Sequence, residues 1–153
     1  MNKDVADGNR ELVKRLFEQV INAHSVALVS KFYHPAYVQH NANVPQGIAG
    51  LTQFMGMLFE AFPDLCGNIS SVIAEHDRVM AVVEWSGTHL GAFAGIPPTG
   101  NSIRFRSAEI FRIEAGLFAE HWDVIDNTEM QLALGLLVAR QATAVNFPES
   151  SRR

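Results

Sequence analysis

Residues 102–125 read SIRFRSAEIFRIEAGLFAEHWDVI, two strand-like runs joined by the turn residues Glu114-Ala115-Gly116. In the first run, apolar and polar side chains alternate with a period of two, which is typical of a strand with one buried face. The buried face would carry Ile103, Phe105, Ser107, Glu109, Phe111 and Ile113. The stretch therefore predicts an antiparallel hairpin whose inner face contains a carboxylate.

The turn decides which side chains of the second run share that face, because a slip of one residue turns every side chain over. We interpret residues 113–116 as a type I turn closed by a bulge at Gly116, which pairs Ile113 with Leu117.

Counting outward from that pair, Glu109 faces His121 and Ser107 faces Asp123. Slipped by one residue, the second run would instead send His121 and Asp123 outward and bring Trp122 in. The turn as interpreted thus predicts one inner patch that contains Glu109, His121 and Asp123.

The rest of the chain adds helices before this hairpin and strands around it. Helical spacing predicts one helix capped at Asp7 or Asn9, a second over residues 26–32, and a third from about Gly50 that Pro63 ends. Strands are predicted at residues 69–74, 79–88, 102–113 and 117–125, with a short extended segment at 37–40. A last helix follows Asp126, and its capping box is Thr128 with Gln131. Its apolar body, 130–138, would be buried on more than one side, for example in a subunit interface.

Helices first and an antiparallel meander second define the α+β class. We expect one domain over residues 1–153, with a core at about 9–140 and a loose tail at 141–153. The N-terminal helices would pack on a strongly curved, mostly antiparallel sheet. This architecture is a cone-shaped barrel with an internal pocket, where a small-molecule site is expected.

Composition narrows the function classes. The chain has 153 residues, 48% of them hydrophobic, and a net charge of −4. We therefore expect no nucleic-acid partner, and no apolar run approaches the roughly 20 residues of a membrane span. Residues 1–10 are polar and carry both signs of charge, unlike a signal peptide, so a cytoplasmic location is expected. Cys66 is the single cysteine, which excludes an intrachain disulfide.

The inner patch has the composition of a proton-transfer site. Two carboxylates beside an imidazole on an apolar face favour a state in which one carboxylate acts as a base while the other holds a proton. The alternative is a structural network in which His121 simply bridges Glu109 and Asp123.

Further polar and aromatic groups could complete the pocket. Trp85 and His89 share one face of the strand before the loop at 91–101, and His40 with Asn41 ends the early extended segment. The alternatives are a structural role for His89 and an Asn/His turn that bonds its own backbone at 40–41.

No cofactor or metal is expected. Residues 95–102 imitate phosphate-loop spacing, but Asn101 stands where the lysine is needed and a strand follows instead of a helix. His89, His121 and a carboxylate could form a metal triad, but no HxxxH or HxH spacing supports one. Cys66 has no signature of a nucleophile.

Five short motifs, in order, resemble one family. They are Tyr37-Val38-Gln39-His40-Asn41, Phe62-Pro63-Asp64-Leu65, Gly87-Thr88-His89, residues 95–100 (GIPPTG) and residues 120–126 (EHWDVID). Together they are similar to the SnoaL-like polyketide cyclases of the nuclear-transport-factor-2-like superfamily, over about residues 9–139.

The resemblance implies a cone-shaped α+β domain, commonly a homodimer through its sheet, and a cofactor-free intramolecular aldol condensation. It implies that Asp123, the aspartate of the Trp-Asp pair, is the general acid/base. Glu109 stands where characterised cyclases carry a pocket histidine.

On this basis we expect Asp123 to remove a proton next to a carbonyl group, with His121 or Glu109 tuning it. His40, Asn41 and His89 would orient substrate oxygens. Trp85, Phe105 and Phe111 would form an apolar wall. The alternatives are an isomerase or epoxide hydrolase on the same scaffold, or a non-catalytic small-molecule-binding module.

Overall fold

The computed structural model describes residues 3–138. Its α-helices are Lys3–Leu16 (α1), Val29–Phe32 (α2), Gly47–Ala61 (α3) and Thr128–Ala133 (α4). Its strands are Tyr33–Gln39 (β1), Cys66–Glu75 (β2), Arg78–Thr88 (β3), Ser102–Glu114 (β4) and Leu117–Asp126 (β5). A π-helical turn, Phe17–Ile21, continues α1, and a 3₁₀ turn, Val26–Leu28, precedes α2. The expected tail at 141–153 lies outside the described residues.

The five strands form one curved sheet in the order β1-β5-β4-β3-β2. Strand β1 runs parallel to β5, whereas the other neighbours are antiparallel. The predicted α+β class, with helices on a mostly antiparallel sheet, is confirmed. The two edge strands, β1 and β2, do not pair with each other, so the sheet is not closed.

The inner face of the sheet packs against α1 and α3. The inward residues of β3 alternate with outward ones, and Val79, Ala81 and Val83 are fully buried. Helix α1 presents Leu12, Val13 and Leu16 to the same core at helical spacing. Burial of these apolar faces holds the helices over the concave side of the sheet.

The β4–β5 turn differs from the sequence-based interpretation. Glu114 pairs with Leu117, and the two residues between them, Ala115 and Gly116, have φ of 51° and 76°. Two positive φ values in a two-residue loop define a type I′ hairpin. The bulge lies further along, where the register shifts near Ala119, and not at Gly116.

The turn moves the pairing by one residue and the bulge near Ala119 moves it by one more, so the pairing beyond the bulge is shifted by two residues. Glu109 lies opposite Asp123, not His121, and Phe111 lies opposite His121. Ser107 faces Ile125, not Asp123. Because side chains alternate with a period of two, a shift of two leaves the same side chains on the inner face.

The expected helix ends also need correction. Helix α1 begins at Lys3, before Asp7 and Asn9, and the Asn9 amide instead donates to the carbonyl of His76 from inside the helix. Asn127, not Thr128, is the N-cap of α4.

Helix α4 is also shorter than its apolar sequence suggests. It ends at Ala133, and Leu136, Leu137 and Val138 beyond it are exposed. Within the single chain this segment is therefore not buried on more than one side, and its burial in a subunit interface stays a prediction. None of the helices between residues 3 and 138 has the length and hydrophobicity of a membrane-spanning segment.

Candidate active site

A cavity of about 690 Å³ lies between the inner face of the sheet and the helices. Its volume suits a drug-sized organic molecule. Most of its wall is apolar and comes from α1, the π-helical turn, α3, the loop at 92–94 and the strands: Leu16, Phe17, Leu51, Phe54, Met55, Phe59, Phe62, Phe93, Phe105 and Phe111. The ionisable lining residues in the described chain are Glu60, Glu109, His121, Asp123 and Tyr33, with no lysine or arginine.

Glu109, His121 and Asp123 meet on the cavity wall, as the strand alternation predicted. One nitrogen or oxygen of each lies within 4.8 Å of the others. Glu109 and Asp123 are cross-strand partners, and His121 precedes Asp123 by two residues on the same face of β5. The hairpin therefore positions all three groups through its register.

Glu109 accepts hydrogen bonds at both of its carboxylate oxygens. The Ser107 hydroxyl donates to Oε1 at 2.5 Å, and His121 Nε2 lies 2.6 Å from Oε2. Ser107 in turn accepts from Trp85 Nε1 at 2.8 Å. Glu109 is 8% exposed, so these donors compensate for burial of its charge. Its oxygens are thus committed to neighbouring side chains.

Asp123 is held differently. Asn41 Nδ2 lies 2.9 Å from Oδ1 and 2.8 Å from Oδ2 of the carboxylate. The side-chain oxygen of Asn41, Oδ1, accepts from the Asn43 backbone N–H at 2.8 Å, which fixes the orientation of the Asn41 amide. Asp123 is less buried than Glu109 and lines the cavity. Asp123 is therefore the carboxylate of the pair whose remaining lone pairs can face the cavity.

Gln39 connects Asn41, the partner of Asp123, to His121. Its Nε2 lies 3.1 Å from His121 Nδ1 and 3.0 Å from the Tyr37 hydroxyl, while its Oε1 accepts from the Asn41 backbone N–H at 2.9 Å. Gln39 belongs to the motif at residues 37–41, but no role was predicted for it from the sequence. Strand alternation was an available signal, because residues 37, 39 and 41 share one side of β1 and its continuation.

The predicted aromatic wall lines the cavity. Trp85 and Phe105 stack with ring centroids 5.5 Å apart, and Phe111 stacks on the His121 imidazole at 4.5 Å. The indole N–H of Trp85 is committed to Ser107, so the ring offers its apolar surface. The rings thus form part of the cavity wall, and Phe111 restricts the plane of the His121 imidazole.

His40 lies on the opposite face of the sheet, away from the cavity. Its Nε2 is 2.8 Å from Glu120 Oε2, and its ring stacks on Trp122 at 4.2 Å. Hydrogen bonds from His40 and Arg112 lower the pKa of Glu120. The expected contact of His40 with a substrate does not fit this position, because strand alternation separates it from Gln39 and Asn41.

His89 is fully buried but does not line the cavity. Its Nδ1 lies 3.1 Å from the Thr99 hydroxyl, and its ring packs against Phe62. Its backbone bonds to Asn101 and Gly100 close the base of the long loop. The contacts fit the structural alternative for His89 and not the expected role in orienting a substrate.

Two tyrosines near the carboxylates were not identified from the sequence. Tyr33 lines the cavity, and Tyr37 contacts Gln39. Burial, followed by the charges of Asp123 and Glu109, raises the pKa of Tyr37; burial is also the main cause of the raised pKa of Tyr33. Both phenols are therefore neutral hydrogen-bond donors throughout the physiological range.

Glu109, His121 and Asp123 bring together carboxylates and an imidazole, which are suitable ligands for a divalent metal. His121 would have to coordinate through Nε2 or Nδ1. The first contacts Glu109 and the second contacts the Gln39 amide. A metal would therefore have to displace hydrogen bonds that already satisfy both ring nitrogens.

The chain belongs to the SnoaL-like polyketide cyclase family, whose sequence profile matches residues 11–134. The match includes every strand and each residue of the carboxylate–imidazole cluster. The resemblance drawn from the five short motifs is thereby confirmed. A search among curated proteins found no significant match.

Solved structures share the fold along most of their length. AclR of Streptomyces galilaeus, described as "a putative hydroxylase", is 28% identical, with 88% of this chain and 89% of that chain covered and a TM-score of 0.80. TsrD of Streptomyces laurentii is 28% identical over 86% of this chain and 97% of its own, with a TM-score of 0.78. IdmH of Streptomyces antibioticus, "a putative polyketide cyclase", is 25% identical over 82% and 97%, at 0.69.

Proposed function

We propose that this protein is an enzyme that performs cofactor-free acid/base chemistry on a small carbonyl compound, most concretely an intramolecular aldol condensation. The observation that carries the proposal is Asp123, a carboxylate that Asn41 holds at both oxygens and that opens into an apolar cavity. A base in such a position can remove a proton from a carbon next to a carbonyl group.

The reaction would proceed in two proton transfers. Asp123 takes the proton, and the electron pair of the broken C–H bond forms an enolate. The enolate carbon attacks a second carbonyl carbon of the same molecule, and a C–C bond forms. The new alkoxide oxygen then takes the proton from Asp123, which restores the carboxylate.

The remaining side chains would position the acid/base groups or bind the substrate. Glu109 is committed to Ser107 and His121 and would position the imidazole, whereas Asn41 orients Asp123. Trp85, Phe105 and Phe111 would hold the apolar part of the substrate. Tyr33, a neutral donor on the cavity wall, is suited to bind a substrate oxygen.

Two features favour an enzyme over a non-catalytic binding module. A purely structural network would lock both carboxylates, but here only Glu109 has its two oxygens occupied by donors from separate side chains. The space beside Asp123, about 690 Å³, also leaves room for a reacting molecule.

The test is hydrogen–deuterium exchange into β-keto esters and enones in D₂O, followed by NMR. Exchange at the carbon next to the carbonyl group, accelerated by the wild type and lost in Asp123→Asn, supports enolisation. Asp77→Asn is the matched control, because Asp77 is exposed in the β2–β3 turn. Equal exchange rates in Asp123→Asn and the wild type would rule out Asp123 as the base.

The products then separate the reactions that share an enolate. A ring-closed product indicates a cyclase, while exchange with a shifted double bond indicates an isomerase. An epoxide hydrolase would leave the enolisable compounds unchanged and open epoxides instead.

We also propose a cytoplasmic homodimer formed through the outer face of the sheet. Val124 is 69% exposed there, and Val38 and Ile73 expose apolar surface on the same face, which favours association. Light scattering coupled to size exclusion measures the state, and Val124→Glu is expected to shift it toward the monomer. A monomeric wild type would contradict the dimer. The cytoplasmic location is a separate proposal, which cell fractionation tests.

A further inference from the structure

Gln39 is buried, at 2% exposure, between the main chain at Asn41 and the ring of His121. Its side-chain oxygen accepts from the Asn41 backbone N–H at 2.9 Å. Its side-chain nitrogen lies 3.1 Å from Nδ1 of His121. The amide oxygen therefore faces a backbone donor, while the amide nitrogen faces the imidazole and, at 3.0 Å, the Tyr37 hydroxyl.

These contacts define the proton positions. A backbone N–H donates and never accepts, so the Gln39 atom facing Asn41 is the oxygen. The other end is then the NH₂ group, which donates to His121 Nδ1. Because that nitrogen accepts, the proton of a neutral imidazole is on Nε2, from which it is donated to Glu109 at 2.6 Å.

The Gln39 main chain is fixed as firmly as its side chain. The Gln46 side chain accepts from the Gln39 N–H at 3.1 Å and donates to the Gln39 carbonyl at 2.5 Å. The next residue bonds the facing strand, with His40 N donating to the His121 carbonyl at 2.9 Å. The amide orientation is thus determined by the backbone and not by the imidazole.

We propose that Gln39 is a positioning residue that holds His121 as a neutral imidazole with its proton on Nε2. An imidazolium would need an acceptor at Nδ1, where the Gln39 NH₂ group stands. The proposal rests on the proposed function in one respect. A neutral ring places no cation beside Asp123, and a neighbouring cation would stabilise the ionised carboxylate and weaken it as a base.

The experiment is ¹⁵N NMR of the histidine ring nitrogens in the full chain near neutral pH. The His121 signals are assigned by their disappearance in His121→Gln. The wild type is expected to show one protonated nitrogen, Nε2, and one bare nitrogen, Nδ1. An imidazolium pattern, or a proton on Nδ1, would overturn the proposal.

Gln39→Glu has the same shape but replaces the donor with an acceptor. The Asn41 N–H keeps its partner, and the second oxygen now faces His121 Nδ1. We expect both ring nitrogens of His121 to become protonated. Gln53→Glu makes the same change at an exposed site on α3 and is expected to leave the His121 signals unchanged. An unchanged His121 in Gln39→Glu would contradict the proposal.

Gln39→Leu keeps the test decisive if the charged variant does not fold. Without the amide, nothing at Nδ1 opposes a second proton, while Glu109 still accepts from Nε2, so the imidazolium fraction of His121 is expected to rise. A single Nε2–H form in Gln39→Leu would show that Gln39 is not needed. These spectra do not depend on turnover, so a failure of Asp123 as the base is distinguishable from a failure of the tautomer assignment.

Discussion

Asn41 and Asp123 are joined by a single amide nitrogen that lies 2.9 Å and 2.8 Å from the two carboxylate oxygens. The contact fixes the rotation of the carboxylate about its last bond. It also leaves the other lone pair of each oxygen available to the cavity. The relationship determines which way the proposed base points.

Loss of this contact is expected to slow the reaction without unfolding the protein. In Asn41→Ala the carboxylate can rotate, and a misplaced base costs about 10-fold to 100-fold in rate. The deuterium-exchange assay measures the rate. Asn68→Ala, at an exposed position on β2, is the control. An exchange rate in Asn41→Ala equal to the wild-type rate would show that Asn41 does not orient the base.

Glu109→Gln is expected to destabilise the fold. Ser107 and His121 both donate to Glu109, and an amide leaves one of those buried donors without an acceptor. The free energy of unfolding should fall by about 1–3 kcal/mol, as measured by urea denaturation. Glu84→Gln is the control, because Glu84 is exposed on β3. Equal midpoints for Glu109→Gln and the wild type would argue against the two hydrogen bonds to the Glu109 carboxylate.

Asp64 should make stability depend on pH. Its carboxylate accepts from the Thr88 hydroxyl and the Thr88 N–H, and these bonds lower its pKa below the ordinary value of about 4. A lowered native-state pKa means that the stabilisation is complete above the ordinary value and is lost as the pH falls through the lowered one.

The comparison is between the melting temperatures of the wild type and Asp64→Asn from neutral pH down to about pH 2. The wild type is expected to be more stable by up to about 1 kcal/mol at neutral pH, since the site is exposed. The difference should vanish in acid. A difference that stays constant with pH would contradict the assignment.

Two glycine substitutions should have opposite effects. A Cβ on Gly91 would overlap the carbonyl oxygen of Glu60, so Gly91→Ala should destabilise by about 1–3 kcal/mol. A Cβ on Gly56, inside α3, meets nothing within 4 Å, so Gly56→Ala should stabilise by up to about 1 kcal/mol. Thermal unfolding compares them. Equal effects would mean that the close approach of Gly91 to α3 is not maintained.

The inner patch could be predicted from the sequence because two departures from the expected pairing, one residue at the turn and one at the bulge near Ala119, together preserve the alternation of faces. The turn itself was misread because Ala115 adopts a positive φ, which is uncommon for a residue with a Cβ. The error amounted to two residues, so Glu109, His121 and Asp123 kept a common face.

His40 shows the opposite case. It was grouped with Asn41 as a substrate contact, although adjacent residues of a strand face opposite sides. Gln39 was overlooked for the same reason, because the alternation of faces along residues 37–41 was not applied. The role of Gln39 depends on the nearby Asn41 backbone N–H and on the ring of His121, which is 82 residues away. Only the parallel β1–β5 pairing brings that ring next to Gln39. The extent of α4 was overestimated because an apolar run specifies neither where a helix ends nor what covers it.

The parallel pairing of β1 with β5 has a consequence for how the chain folds. The residues joined by the Asn41–Asp123 contact are 82 positions apart, so the ordering entropy of that long loop must be overcome before the contact forms. Strands β2 to β5 can form a meander through local hairpins, but β1 joins only after β5 exists. During synthesis β1 is made before β5, so the Asn41–Asp123 contact at the proposed acid/base centre can form only after the last strand has been made.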